Sequence, residues 1–342
     1  MKKRVKKWML GLIGTTLALS LAACGGTNQP SDNADQGDQD QQAGEQQVNV
    51  GVIQIEEHAA LDAARKGFMD ALAENGYKTD EQVKYNYQNA QGDINNATTI
   101  AQQLVGDKVD LILAIATPSA QSAAQATQEI PILITAVTDP VDAKLVASMD
   151  KPGANVTGTS DMNPIKEQLT LIKDIVPDAK TVGIIYNSGE DNSILQVNLA
   201  KEYAQELGFE IVERTISNSS EVKQAAESMP KVDAFYVPTD NKVVAAIESV
   251  LMVAEQAKVP VIAGESESVK NGALITYGLD YYELGKQTGE MAIRILKGEA
   301  EPAEMAIETQ KNLGLTINKK AAERFGVTIP QKLLDEAVEI IE

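Results

Sequence analysis

Thr117-Pro118-Ser119, followed by Ala120 and Gln121, is the segment of this chain best suited to hold an anion. Proline favours the first turn of a helix, where the leading backbone N–H groups have no partner inside the helix, and hydroxyls beside them add further donors. Asn192 and Ser193 open a second helical stretch in the same way. Thr and Ser also cap helices in any protein, so each position reads equally as a plain cap. Further polar residues of this kind follow other apolar runs: Gln54 and His58 after the first, Thr138 after the fourth, and Asn187 in the second half of the chain.

His58 is the only imidazole and Cys24 the only thiol. One cysteine allows no internal disulfide, and one histidine leaves no ordinary zinc site, so neither a metal nor a cofactor is implied. A hydrolytic triad would need His58 as its base, yet no nucleophile-elbow motif accompanies it. Gly285-Lys286-Gln287-Thr288 resembles a phosphate loop only superficially, because both the glycine spacing and the Lys-Ser/Thr adjacency fail. A formal net charge of −19 repels phosphate backbones and argues against a nucleic-acid partner.

The chain of 342 residues exceeds one ordinary core. It opens with Lys2, Lys3, Arg4, Lys6 and Lys7, then the apolar run from Trp8 to Ala23, which reads as a signal peptide over residues 1–23. Leu21-Ala22-Ala23-Cys24 resembles a lipobox, which implies a lipidated Cys24 carrying a diacylglyceryl thioether; an ordinary signal peptide is the alternative. Residues 24–47 are rich in Asp, Gln and Gly and predict a disordered tether. Its aspartates lack the spacing of a calcium loop.

From Val48 onward, short apolar runs alternate with helical periodicity. Strands are expected at 48–55, 83–88, 111–116 and 131–137, with helices at 59–75, 94–105 and 119–128 and a short helix after Pro140. The cycle then restarts with strands at 181–186, 210–216, 233–237, 259–263 and 273–278. Helices are expected at 165–175, 193–207, 221–228, 243–257 and 281–296, then a last strand and helices. This is the pattern of an α/β protein with two doubly wound parallel-sheet lobes, whose ligands bind where strands pass into helix N-termini.

The segments His58-Ala59-Ala60-Leu61-Asp62-Ala63-Ala64-Arg65-Lys66-Gly67-Phe68, Ala116-Thr117-Pro118-Ser119-Ala120-Gln121, Val137-Thr138-Asp139-Pro140-Val141 and Asn155-Val156-Thr157-Gly158 resemble the tryptophan/tyrosine-type substrate-binding lipoproteins of ABC transporters, over essentially all of 48–341. The resemblance implies the type I periplasmic-binding fold with three crossover segments, near 158–161, 277–280 and 306–309. The lobes are then expected as 48–158 plus 280–307 and 159–279 plus 308–342. It implies an amino-acid ligand, aromatic or large and apolar, whose ammonium needs a carboxylate: Asp240 and Asp280 first, then Glu265 and Asp161, with Ser160 beside the last. Apolar walls would come from Tyr186, Tyr236, Tyr277, Tyr281 or aliphatic residues.

The expected function is that of a monomeric, extracytoplasmic, lipid-anchored receptor. It captures the ligand between its lobes and delivers it to an ABC permease and its ATPase, with no chemistry on the ligand. A sensory receptor for a nucleoside or sugar would have the same sequence pattern. A surface enzyme would depend on His58, and a repressor would need a helix-turn-helix where 1–47 holds a leader and tether.

Overall fold

The computed structural model describes residues 47–310 and 313–342. The predicted signal peptide, the lipidated Cys24 and the tether up to residue 46 lie outside the described residues. Among the described residues, no helix is long and apolar enough to cross a membrane.

The first run is β1 (Val48–Gln54), α1 (Ala59–Glu74), β2 (Val83–Asn89), α2 (Ile94–Gly106), β3 (Leu111–Ile115), α3 (Thr117–Ala126), β4 (Ile132–Val137) and β5 (Val156–Ser160). The second begins with α4 (Ile165–Ile175), β6 (Thr181–Asn187), α5 (Asp191–Leu207), β7 (Glu210–Ile216) and α6 (Val222–Glu227). It continues through β8 (Ala234–Val237), α7 (Asn241–Ala245), α8 (Ile247–Ala257), β9 (Val261–Ala263), α9 (Ser266–Lys270) and β10 (Ile275–Gly278). The chain closes with α10 (Tyr281–Leu296), β11 (Glu308–Thr309), β12 (Gly314–Asn318), α11 (Lys319–Phe325), α12 (Gln331–Glu336) and β13 (Glu339–Ile341).

The strands form a six-stranded sheet of order β11-β5-β4-β3-β1-β2 and a seven-stranded sheet of order β13-β12-β10-β9-β8-β6-β7. β3 and β4 are buried along their whole length, as unbroken apolar runs covered on both faces must be. Each sheet has its own core, one including Phe68, Leu113, Ile134 and Leu284, the other Ile184, Tyr236, Ile262 and Leu315. The first sheet is parallel throughout, whereas β12 runs antiparallel to β10. β12 enters from the first sheet rather than through a helical crossover, so no right-handed βαβ connection fixes its direction.

α10 follows a strand of the second sheet but packs on α1 of the first lobe. The contact is possible because both helices lack side chains where they cross. A Cβ on Gly285 would lie 1.8 Å from the Ala64 carbonyl oxygen, and one on Gly67 would lie 2.0 Å from that of Tyr282.

Four expectations need correction. The first sheet extends through Ser160, past the expected boundary at 158, because β5 pairs with β4 along its polar VTGTS sequence. The third crossing follows Thr309, since Glu308–Thr309 adds to β5 and Glu308 is held by Arg294 and Gln287 at 2.8 and 2.7 Å. No helix follows Pro140; Asp139 accepts from the N–H groups of Val141 and Asp142, and Lys144 at φ +60° stops any winding. The helix expected at 243–257 starts at Asn241 and breaks at Ala246 (φ −113°, ψ 24°), giving α7 and α8.

Candidate functional site

Strand order reverses between β1 and β3 in the first sheet and between β6 and β8 in the second. Such reversals open a crevice beyond the carboxyl ends of the strands. A small, largely enclosed cavity lies there. His58, Ala60, Leu61 and Ala136 line it from the first lobe, and Asn192, Thr239, Asn241, Val244 and Glu265 line it from the second. Asp161, just past β5, and Tyr281, at the start of α10, complete the wall. Ala136 holds φ +56° at the register shift of β4 against β5, a backbone conformation costly for any residue but glycine.

Both lobes carry unpaired buried polar atoms; His58, Asp161 and Asn192 line the cavity, whereas Thr117 and Ser119 open α3 without lining it. The buried Nδ1 and Nε2 of His58, Oγ1 of Thr117, Oγ of Ser119, Oδ1 of Asp161 and Oδ1 of Asn192 have no hydrogen-bond partner among the described residues. An unpaired buried polar group costs about 1–3 kcal/mol, which an external polar partner would relieve; Tyr85 OH and Asn163 Oδ1 are also unpaired, but neither residue lines the cavity. Open grooves elsewhere are larger, such as one of about 510 Å³ beside Glu283, Lys286, Glu290 and Gln310, but none of these atoms lines it.

α2, α7, α9, α10 and α11 are capped by their own Asp93, Asp240, Glu265, Asp280 and Asn318 side chains. α1, α3 and α5 have no side-chain cap, whereas α7, α9 and α10 are capped although they begin beside the cavity. α4, α6, α8 and α12 also lack one, and none of these four begins at the cavity. The free N–H groups of the uncapped helices carry partial positive charge that favours a bound anion.

The structure divides the sequence candidates into three sets. Thr117, Ser119, His58, Asp161 and Asn192 offer free polar atoms, and Ala120 is buried behind them in the first turn of α3. Gln121 instead spans the lobes, its amide donating to Asp191 Oδ2 at 2.8 Å and Ala143 O at 3.3 Å. The remainder are engaged internally. The Gln54 amide donates to Glu56 O and Asp62 and accepts from Arg65 at 2.8 Å. Ser160 Oγ donates to Thr138 O at 2.7 Å, and the Asn187 amide donates to Glu190 at 2.8 Å.

Asp240, the leading carboxylate candidate on sequence grounds, accepts from Asn187 N, Ser193 Oγ, Lys242 N and Val243 N, which uses both oxygens and also occupies Ser193. Asp280 is exposed and caps α10 through Tyr282 N and Glu283 N. Neither lines the cavity. Glu265 does, yet both its oxygens accept from Glu267 N, Ser268 N and Ser268 Oγ. Asp161 alone of the four keeps an unpaired oxygen, its other one accepting from Tyr281 OH at 2.5 Å.

Burial sets the electrostatics. It raises the Asp161 carboxyl above its ordinary range, against the lowering effect of the Tyr281 hydrogen bond, and pushes Glu265 up to about 7. It pushes the His58 imidazole down to about 4, against the pull of Asp62, so the ring is neutral near pH 7. Glu190, buried and also raised by burial, accepts from the Asn187 and Asn241 amides.

Of the tyrosines considered for the wall, only Tyr281 lines the cavity. Tyr236 is a core residue whose hydroxyl donates to Gln168 at 2.7 Å. Sequence reasoning missed Thr239, Asn241, Val244 and Ala136 as cavity residues. Thr239 and Asn241 flank Asp240, but spacing alone could not say which of the three turns inward.

Residues 49–341 match the family described as ABC transporter substrate binding protein. A tyrosine-binding protein of Clostridioides difficile (strain R20291) is 41% identical over 342 residues, covering 100% of this chain and 96% of that protein. Among solved structures, the ABC domain in complex with L-Trp from Streptococcus pneumonia is 39% identical with a TM-score of 0.82, covering 86% of this chain and 100% of that one. The ligand-free, open structure of a substrate binding protein with adhesive properties from Clostridium difficile is 44% identical with a TM-score of 0.65, covering 86% and 99%.

Proposed function

Because the chain belongs to the ABC transporter substrate-binding protein family, we propose that it captures an aromatic amino acid between its two lobes and delivers it to a permease for import. The family binds substrates without transforming them, so His58 is not a catalytic base. The observation that carries the reading is the set of unpaired buried polar atoms shared between the lobes. In this reading the Thr117 and Ser119 hydroxyls and the α3 N-terminus take the carboxylate. Asp161 Oδ1 and Asn192 Oδ1 take the ammonium, and Ala60, Leu61 and Val244 enclose the side chain.

A ligand touching both lobes interacts more favourably with a closed arrangement than with an open one, and so shifts the population toward it. The greater likeness to the L-Trp complex than to the open, ligand-free relative supports a closed arrangement here, although the open relative has the higher identity. Substrate-binding proteins of ABC transporters act outside the cytoplasm, and we assign this chain there as a monomer anchored by a lipid on Cys24.

A thermal-shift series with the twenty amino acids, a nucleoside set and a sugar set tests the ligand class. At one hundred times its dissociation constant, a ligand adds about 2.7 kcal/mol of stability. L-tryptophan and L-tyrosine are expected to raise the transition; a response confined to nucleosides or sugars would refute the amino-acid reading.

A further inference from the structure

Among the unpaired atoms, those of His58 are not used by an amino-acid head group, which Thr117, Ser119, Asp161 and Asn192 already satisfy in the reading above. We propose that His58 is a specificity-determining residue: its free ring nitrogen accepts a hydrogen bond from an indole N–H or a phenol O–H, so the site selects aromatic amino acids that carry a ring donor. The proposal rests on the amino-acid reading and adds the side-chain chemistry that the site selects.

The argument runs through Asn241. Its Nδ2 donates to Glu190 Oε2, while Glu190 Oε1 accepts from Asn187, so the amide is held with its N–H₂ turned away from the cavity. What Asn241 presents to other neighbours is its carbonyl oxygen, so toward His58 it matches the imidazole N–H and not the bare nitrogen. Both residues line the same cavity. A neutral imidazole has one N–H and one bare nitrogen; neither is paired here, and with the neighbouring Asn241 oxygen the acceptor available to the N–H, the bare nitrogen is left for the ligand.

The cavity that His58 lines also has apolar residues in its wall. Ala60 and Leu61 follow His58 in α1, and Val244 follows Asn241 in α7. An acceptor buried there stays unsatisfied when the ligand side chain has no donor, as with phenylalanine or leucine. A site built around such a hydrogen bond rejects the analogue that lacks it by roughly tenfold to a hundredfold.

Calorimetric titration of the purified full chain with L-tryptophan, L-tyrosine and L-phenylalanine tests this. The unaltered chain is expected to bind the first two at least tenfold more tightly than L-phenylalanine. His58→Leu brings all three to one level, and His58→Gln, which keeps an acceptor, restores part of the preference. If His58→Leu fails to fold, the ratio in the unaltered chain and in His58→Gln decides the matter. Equal affinity for all three ligands in the unaltered chain, or an equal loss for all three in a folded variant, overturns the role of His58 and leaves the amino-acid reading standing. No binding of any of the three overturns both.

Discussion

Replacing Asp161 by Asn weakens binding of L-tryptophan and L-tyrosine by roughly a hundredfold or more, as read by calorimetry. Asp161 is buried, and among the candidate carboxylates it alone keeps an oxygen free of internal hydrogen bonds. Losing one partner of a buried, hydrogen-bonded charge pair costs about 2–5 kcal/mol. Asn keeps the shape and can still accept from Tyr281 OH, so the loss falls on ligand rather than on fold. Without ligand, Asp161→Asn is expected to leave stability unchanged or higher, because an uncompensated buried charge is removed. Asp280→Asn is the control. Asp280 is exposed, caps α10 and lies outside the cavity, and asparagine caps nearly as well, so affinity should stay within twofold or so.

Gly285→Ala is expected to unfold the first lobe or lower its stability by several kcal/mol, visible as a large fall in the urea midpoint. The new Cβ would sit 1.8 Å from the Ala64 carbonyl oxygen and 2.5 Å from its carbon, and both belong to helix backbone. No rotamer change relieves such a contact; α1 and α10 would have to separate, opening the core around Phe68 and Leu284. Against a total stability of about 5–15 kcal/mol, that loss is decisive. Gly106→Ala, at the end of α2 with no atom within 4 Å of the added Cβ, should instead be neutral or stabilising by up to about 1 kcal/mol. The contrast separates the helix crossing from glycine replacement in general.

The strand–helix alternation was legible because β3, β4, β8 and the inward faces of α1, α4 and α10 are written in apolar residues at the right period. The bounds of α4, β7 and α10 coincide with the expectation from sequence. β5 was hidden by its composition. Its VTGTS sequence has no apolar alternation, and its threonines are buried because Thr157 donates to Met305 O at 2.6 Å and Thr159 pairs with Thr288 at 2.8 Å. Those partners lie more than a hundred residues away, beyond any local pattern.

The site shows the same limit. Thr117, Ser119, His58 and Asn192 were legible as polar residues where strands meet helices. The choice among four carboxylates was not, because it depends on what each one's neighbours consume. Asp240 is spent on four donors that a single loop and helix start provide, whereas Asp161 keeps an oxygen because Tyr281 takes only one.

The most direct test of joint capture by two lobes is a crystal structure of the chain grown with L-tryptophan or L-tyrosine. The account predicts one ligand in the crevice between the sheets, its carboxylate at Thr117 and Ser119 and its ammonium at Asp161 and Asn192. A ligand held by one lobe alone, or seated in the outer groove beside Glu283 and Gln310, would contradict it.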